Sequence, residues 1–245
     1  MLDKNLKNRL QTEHELKKRI KTIRELKKRI VTLYKELNEV GLREIDLNFA
    51  NLSGIDLSDE DLIRAKLVHA DLSHANLKKT NLEEACLITT DLKEACLHKA
   101  NLINADLRDA NLLHADLRDA SLAGANLTDA DLTEADLTGS EFTAAVLINA
   151  RLRFANLSGS KSMNASLRFA DLTGSNLSKS ILIRANLSGA NLSKSNLTGA
   201  DLDGADLAGA KLIDADLSFA KVTRKQLSLA NTTGAFTDKI IWLDE

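Results

Sequence analysis

Residues 100–135 read ANLINADLRDANLLHADLRDASLAGANLTDADLTEA, which is a five-residue unit repeated in register. Each unit has a small residue, then Asp or Asn, then Leu, then two variable positions. The repeat runs from Ile45 to Leu227 without an insertion or a deletion, and its central slot holds Leu in 34 of 37 copies. The three exceptions are Phe142, Ser162 and Val222. The slot two residues before the centre holds Ala, Ser or Thr in 33 of 37 copies.

This period excludes a straight helix and a flat strand. Five residues advance a helix by about 500°, which is about 140° past a full turn. In a strand, an odd period would send successive leucines to opposite faces. The leucines share one side only if the chain bends once per repeat, and small residues suit such bends. Repeated bends wind the chain into stacked coils around a leucine column, so the sequence predicts a solenoid.

The run Ala-(Asp/Asn)-Leu-x-x, as in Ala105-Asp106-Leu107-Arg108-Asp109, resembles the pentapeptide-repeat family across about three quarters of the chain. The resemblance implies a mainly β fold, a right-handed four-sided β-helix with four repeats per coil. On that basis the repeat forms roughly nine coils, which stack to about 43 Å at ~4.8 Å per coil. It also implies a bacterial origin, with cyanobacteria as one candidate group.

The composition agrees with this fold. Proline, which would remove a ladder N–H, is absent from the sequence. Asp and Asn before each Leu can bond to nearby backbone at the turns, and Asn156, Asn176 and Asn196 could form a ladder. Nine glycines occupy the last slot of the repeat, where we expect positive φ. They are Gly54, Gly124, Gly139, Gly159, Gly174, Gly189, Gly199, Gly204 and Gly209.

Residues 1–41 are predicted to form a separate basic, amphipathic helix that ends at Gly41. Apolar residues recur there in an a/d heptad seam typical of a coiled coil. The seam is Leu16, Ile23, Leu26, Ile30, Leu33, Leu37 and Val40. The seam could oligomerise the chain, or the helix could fold back near residues 11–15 as a hairpin or lid. A helix from another protein is a third possible partner.

The repeat stops before the carboxyl terminus. Phe236, Ile240, Ile241, Trp242 and Leu243 break the pattern and are predicted to cap the last coil. The expected domains are therefore the helix at 1–41, the β-helix at 42–233 and a cap at 234–245.

The sequence favours a cytoplasmic protein. It has no run of 18 apolar residues for a membrane span, and its polar start is unlike a signal peptide. Cys86 and Cys96 lie two repeats apart, on opposite faces of one coil, where they cannot form a disulfide. A reducing compartment suits this arrangement.

The resemblance raises a DNA-mimic hypothesis, because some family members bind type II topoisomerases. Residues 1–40 carry 12 Lys/Arg and 6 Asp/Glu, and the rest carries 21 and 29. Sorted onto four faces, the outward charges of the repeat give net values of −1, −2, −2 and −1. Duplex DNA of the same length carries roughly 25 negative charges. The chain also lacks the loop insertions of topoisomerase-protecting members, so both observations weigh against a DNA mimic.

Two outward surfaces are candidate partner-binding sites. The first is a repeated Leu-Arg-Phe-Ala, which places Arg153 and Phe154, and Arg168 and Phe169, on adjacent faces one coil apart. Ser162, the one polar residue in the leucine column, lies between them. The second is an apolar column of Ile63, Ile103, Met163 and Ile183. For both, scattered surface hydrophobes are the simpler interpretation.

The column His74, Glu94, His114, Glu134 could hold a divalent metal, although a charge ladder explains it as well. We find no nucleophile–base pair and no phosphate loop, so neither an enzyme nor a cofactor is predicted. The basic stretches at 17–19 and 27–29 lack interleaved aromatics, which makes direct nucleic-acid binding an unlikely role. The leading hypothesis is a non-enzymatic scaffold that binds a protein partner and oligomerises through its amino-terminal helix. A topoisomerase-binding DNA mimic is second and a metal-binding surface third.

Overall fold

The computed structural model describes residues 42–244. Here the chain forms a solenoid in which a residue of each repeat pairs in parallel with the residue 20 positions further on. The isolated bridges begin at Asp46↔Lys66 and recur every five residues up to Asp201↔Lys221, and after one missing position they continue with Lys211↔Asn231 and Asp216↔Phe236. Four repeats therefore complete one coil, and the predicted four-sided β-helix is confirmed for this part of the chain.

Regular elements are few within residues 42–244. Strand β1 is Lys221–Val222, helix α1 is Arg224–Ser228 and strand β2 is Ile241–Trp242. β1 pairs with β2 in parallel, with Lys221 opposite Ile241 and Val222 opposite Trp242. The remaining coils consist of single-residue bridges joined by turns, because each face is too short for a longer strand. No helix in this range has the length and apolar character needed to cross a bilayer.

The leucine column fills the interior as expected. Every leucine in the central slot from Leu57 to Leu217 is at most 2% exposed. Burying one such side chain contributes about 1.5–3 kcal/mol, and the bridges pair the backbone groups between coils. For example, Leu107 N–H donates to Asn126 O over 2.7 Å, and Asp106 N–H donates to Ala85 O over 2.9 Å.

Local hydrogen bonds explain the bend in each repeat. In a representative unit, Asn101 Oδ1 accepts from Ile103 N–H at 3.1 Å, so an Asx turn starts the corner. Ala105 N–H then donates to Leu102 O at 3.0 Å and closes a four-residue turn. Asn104, the residue between them, is left-handed with φ of 55°. Each corner of the coil is therefore built by three residues of one repeat: the Asp or Asn, the left-handed residue and the small residue.

The nine last-slot glycines all have positive φ, between 64° and 69°, as predicted. The same conformation is adopted by 28 non-glycine residues at this slot, among them the β-branched Thr89 with φ of 55°. The corner therefore imposes left-handed backbone whatever side chain is present. This strain is tolerated because the bonds on both sides of the residue fix the turn.

Asn side chains of successive coils pair as predicted at one of the expected positions. Asn176 Nδ2 donates to Asn156 Oδ1 over 3.0 Å. Asn196 Oδ1 accepts from its own turn, at Thr198 N–H over 2.9 Å.

The expected continuation of the leucine column to Leu227 is wrong. α1 occupies this position, and Gln226 is buried where Leu227 was expected, while Leu227 is half-buried. Gln226 Nε2 donates to Leu202 O at 2.6 Å and to Ala205 O at 2.8 Å. The cause is a capping box, because Thr223 Oγ1 accepts from Gln226 N–H while Gln226 Oε1 accepts from Thr223 N–H.

The pairing resumes after α1. Asn231 bridges to Lys211, and β2 brings Ile241 and Trp242 onto the preceding coil. The Trp242 ring lies 4.5 Å from the Arg224 guanidinium carbon. Among the residues expected to cap this end, Phe236 is 61% exposed. The predicted helix of residues 1–41, with its seam, lies outside the described residues.

Candidate interaction surface

Phe154 and Phe169 each lie over a glycine of the next coil. A Cβ built on Gly174 would come 2.6 Å from Cε1 of Phe154, and one on Gly189 would come 2.5 Å from Cδ1 of Phe169. Each ring thus occupies space that only glycine leaves open, yet each residue remains 57% exposed. The two rings are both held in place and accessible.

An arginine accompanies each ring. The guanidinium carbon of Arg153 lies 5.8 Å from the Phe154 ring centre, and that of Arg168 lies 5.4 Å from the Phe169 ring centre. Arg153 Nη1 also lies 3.6 Å from Asp171 Oδ2 on the next coil. Cation–π contacts of this kind keep the planar guanidinium beside the ring.

The two aromatic residues bound one face of the solenoid. Residues 150–154, 170–174 and 190–194 are successive levels of this face, since Arg151 bridges to Asp171 and Asp171 bridges to Asn191. Phe154 ends one level at one corner, and Phe169 immediately precedes the next level at the opposite corner. We name these three segments, with Phe169, the Phe-bounded face. The sequence placed the rings on adjacent faces, and the structure adds that they flank a common surface.

Ser162 in the leucine column is matched by Phe142 one coil earlier. Phe142 is 1% exposed, Ser162 is 2% exposed, and Phe142 N–H donates to Lys161 O at 2.6 Å. The larger ring therefore sits next to the smaller side chain in the stack. Both exceptions are visible in the sequence, and their separation of 20 residues is the one signal that pairs them.

Two serines near this site have orphaned hydroxyls. The Oγ atoms of Ser160 and Ser180 are buried without a hydrogen-bond partner in the described part of the chain. Ser140, one coil earlier in the same column, instead donates to Leu137 O at 2.6 Å. The interior between residues 142 and 182 is thus less regular than the coils before it.

The apolar column is only partly contiguous. Ile63, Ile103, Met163 and Ile183 are half-buried and share one face. Glu83 lies between Ile63 and Ile103, because the bridges connect Asp61 to Asn81 and Asn81 to Asn101. Met163 and Ile183 are one coil apart and are the pair that the structure brings together.

The His/Glu column forms two separate pairs. His74 Nδ1 lies 3.1 Å from Glu94 Oε2, and His114 Nδ1 lies 3.5 Å from Glu134 Oε2. Within residues 42–244, no group of three or more His, Cys, Asp or Glu is arranged to hold a metal ion. These pairs resemble the other cross-coil pairs, such as Lys79 with Asp59 at 3.7 Å.

Charge is segregated along the solenoid axis, although the four faces carry similar net charges. Residues 42–141 carry nine Lys/Arg and 20 Asp/Glu, a net charge of −11. Residues 142–199, named the basic belt, carry seven Lys/Arg and one carboxylate, Asp171, a net charge of +6. Residues 200–244 return to a net charge of −2, with five Lys/Arg and seven Asp/Glu. A running sum of charge along the sequence would have found the belt.

Within the acidic segment, arginines neutralise carboxylates of their own repeat. Arg108 Nη2 lies 2.6 Å from Asp106 Oδ2, and Arg118 Nη2 lies 2.7 Å from Asp116 Oδ2. Hydrogen bonds from these arginine side chains hold the pKa of Asp106 and of Asp116 below the usual range, although burial opposes the shift. These two cations are exposed but are already paired with carboxylates of the solenoid.

Comparison with known proteins places this geometry in a family. A family model for pentapeptide repeats matches successive segments between residues 41 and 224. The chain belongs to the pentapeptide-repeat family. Membership implies that the β-helix is right-handed, as the sequence resemblance had suggested. A search of curated proteins gives no significant match.

Among solved structures, HetL from the cyanobacterium Nostoc sp. strain PCC 7120 is 34% identical. The match covers 81% of this chain and 85% of HetL, with a TM-score of 0.44. QnrB1, a plasmid-mediated fluoroquinolone resistance protein, is 16% identical over 79% of this chain and 86% of its own, with a TM-score of 0.43. A pentapeptide repeat protein from the Arabidopsis thaliana thylakoid lumen is 34% identical over 40% of this chain and 79% of its own, with a TM-score of 0.26.

Proposed function

We propose that this chain is a non-enzymatic scaffold that presents the outer surface of its β-helix to a protein partner. The observation that carries the proposal is the exposed Phe154 and Phe169 pair on the Phe-bounded face, each with an adjacent arginine. Arginine is enriched among the residues that contribute most to protein binding, and Phe is enriched in protein interfaces. HetL is a pentapeptide repeat protein involved in heterocyst differentiation regulation, and we propose a regulatory role for this chain as well.

Affinity capture from extracts of the native cells tests this function. The Phe154→Ala/Phe169→Ala variant should lose a partner that the wild type retains. The matched control is Phe49→Ala/Phe219→Ala, which removes two exposed rings outside the Phe-bounded face. If both variants capture the same proteins as the wild type, the Phe-bounded face is not the docking surface.

We further propose that residues 1–41 form the predicted helix and that its seam oligomerises the chain. Light scattering with size exclusion should give an oligomer mass for the full chain and a monomer mass for Ile23→Glu/Ile30→Glu. The control is Lys21→Glu/Lys28→Glu, on the opposite side of the predicted heptad. A monomer mass for all three proteins would rule out the coiled coil.

The proposed organisation keeps 42–233 as the solenoid and 234–245 as its cap. We also propose a cytoplasmic location, supported by the two free thiols, Cys86 and Cys96. A relative from the thylakoid lumen makes fractionation of the native cells the necessary measurement. Recovery with a lumenal or periplasmic marker would contradict the proposal.

A DNA-mimicking binder of type II topoisomerase is the second candidate. The net charge of −11 on residues 42–141 favours it, because these five coils span about 24 Å, over which duplex DNA carries about 14 negative charges. The basic belt interrupts this charge, so the scaffold remains the leading proposal. A gyrase supercoiling assay separates the two functions, since a scaffold leaves the enzyme unaffected at every concentration and a mimic inhibits it.

A further inference from the structure

The basic belt is not required by the fold. In the acidic segment, Asp56 Oδ1 accepts from Ser58 N–H at 3.1 Å, and in the belt Asn176 Oδ1 accepts from Ser178 N–H at the same distance. Asp and Asn therefore build the same corner. Asp fills nine of the 20 slots of this type from residue 46 to 141, but one of the 11 slots from 146 to 196. Because the turns accept either residue, the near absence of carboxylates in the belt calls for a reason outside the fold.

The cations of the belt are largely unpaired. In residues 42–141, six of the nine Lys/Arg have a carboxylate within 4.0 Å. In the belt, Arg151 lies 3.1 Å from Asp131 and Arg153 lies 3.6 Å from Asp171. The other five have no carboxylate within that distance among residues 42–244: Lys161, Arg168, Lys179, Arg184 and Lys194. All five are exposed, so their charge is available to another molecule.

The arrangement suits a protein better than a nucleic acid. The seven cations are spread over four faces, and the Phe-bounded face carries three of them, Arg151, Arg153 and Lys194. A duplex presents a phosphate charge about every 1.7 Å and needs a longer continuous row of cations. A short acidic segment needs only a few cations, and the flanking rings offer apolar anchors of the kind found in protein interfaces.

We propose that the Phe-bounded face receives an acidic segment of a partner protein. The carboxylates of this segment contact Arg168 at one corner and Lys194 in the level of residues 190–194. The apolar side chains of the segment pack against Phe154 and Phe169. The inference rests on the proposed scaffold function and specifies the chemistry of the partner. Electrostatic attraction speeds the encounter and selects acidic partners, while the rings supply most of the binding energy.

A direct binding titration with the full chain tests the proposal. The probe is a short fluorescein-labelled peptide of glutamates with interspersed leucines. A counterpart with Gln in place of every Glu, single-stranded DNA and duplex DNA serve as comparison ligands. We expect the acidic peptide to bind, the Gln counterpart to bind at least about tenfold more weakly, and added salt to weaken the acidic peptide.

Matched variants locate the site. Arg168→Glu/Lys194→Glu should weaken acidic-peptide binding by about tenfold or more. Lys78→Glu/Lys99→Glu reverses two exposed cations outside the belt that have no carboxylate within 4.0 Å among residues 42–244, and it should change the binding little. Phe154→Ala/Phe169→Ala should weaken binding while Phe49→Ala/Phe219→Ala does not. Circular dichroism and thermal unfolding establish that each variant is folded.

Several outcomes overturn the proposal. Equal losses in the belt and control reversals would mean nonspecific attraction, and DNA binding as tight as peptide binding would mean a polyanion site. Absence of acidic-peptide binding would also refute it. If the acidic peptide does not bind but Phe154→Ala/Phe169→Ala still abolishes partner capture, the proposed scaffold function stands. Only the proposal that the partner segment is acidic is then wrong. If capture also fails at this face, both proposals fall.

Discussion

The coils of residues 62–137 and those of residues 142–182 share one backbone but fill their interiors differently. In the first region every central slot holds a fully buried Leu. In the second, Phe142 and Ser162 replace two leucines in the same column, and the hydroxyls of Ser160 and Ser180 have no hydrogen-bond partner among residues 42–244. The first region is stable through identical contacts repeated many times. The stability of the second region depends on which side chains are stacked in neighbouring coils.

The surfaces of the two regions also differ. The earlier coils are acidic and most of their cations are paired, whereas the later coils are basic and most of theirs are not. The irregular interior and the exposed rings therefore occur where the surface charge changes sign. A repeat fold lets these properties vary from coil to coil because each coil contacts only its neighbours.

The largest difference in stability between variants of the two regions is expected in the leucine column. Leu107→Ala should lower the free energy of unfolding by about 2–5 kcal/mol, because the surrounding coils cannot collapse into the cavity. Ser162→Ala, at the equivalent slot, should change it by less than about 1 kcal/mol. Urea denaturation followed by circular dichroism measures both. Equal losses would mean that the second region is packed like the first.

A double-mutant cycle tests the pairing of Phe142 with Ser162. Ser162→Leu alone should destabilise by about 1–3 kcal/mol through overpacking against the ring. Phe142→Leu alone should leave a cavity next to the small serine. The double variant Phe142→Leu/Ser162→Leu restores the regular column and should lie within about 1 kcal/mol of the wild type. Additive losses in the double variant would show that the two positions are independent.

Glycine substitutions separate backbone strain from ring contact. Gly159→Ala, where an added Cβ meets nothing within 4 Å, should cost about 1–2 kcal/mol for its left-handed φ alone. Gly189→Ala should cost more, because its Cβ displaces the Phe169 ring. Phe169→Ala in the Gly189→Ala background should recover the difference. Thermal unfolding ranks the variants, and equal midpoints for the two single alanines would contradict the proposed packing.

Buried serines in one column provide a smaller test. Ser140→Ala removes the bond to Leu137 O and should cost about 1 kcal/mol. Ser160→Ala removes an unpaired hydroxyl and should be neutral or stabilising. Chemical denaturation compares the two single variants under identical conditions. A loss at Ser160 equal to that at Ser140 would mean that its hydroxyl has a partner, such as a buried water.

The smallest effect is expected in the dependence of stability on pH. The pKa of Asp116 is lowered in the folded chain, chiefly by its bond to Arg118, so this carboxylate stabilises the fold above its unfolded pKa. That contribution is lost as pH falls through the lower, folded pKa. Arg118→Ala should therefore raise the Asp116 pKa toward its ordinary value, as followed by NMR titration. Its stability deficit should be present at neutral pH and disappear in acid.

Most of the fold followed from the sequence because the corner is local. The Asp/Asn acceptor, the left-handed residue and the closing bond all lie within one repeat, as in residues 101–105. The interruption of the leucine column by α1 was not predicted, although Thr223 and Gln226 carry a recognisable capping-box pattern. The Arg–Phe units were found from their repetition, but their glycine supports, Gly174 and Gly189, could be identified only once the 20-residue stacking was known.

By itself, the sequence determined that the chain bends every five residues and turns its leucines inward, because those requirements are met inside each repeat. The tertiary structure decided which residues meet across coils. It set Ser162 beside Phe142, laid Phe154 over Gly174, and placed the two Phe rings at opposite corners of one face. The physical reason is that a period of five is compatible with several coil sizes, whereas pairing and packing between coils fix the neighbour at 20 residues.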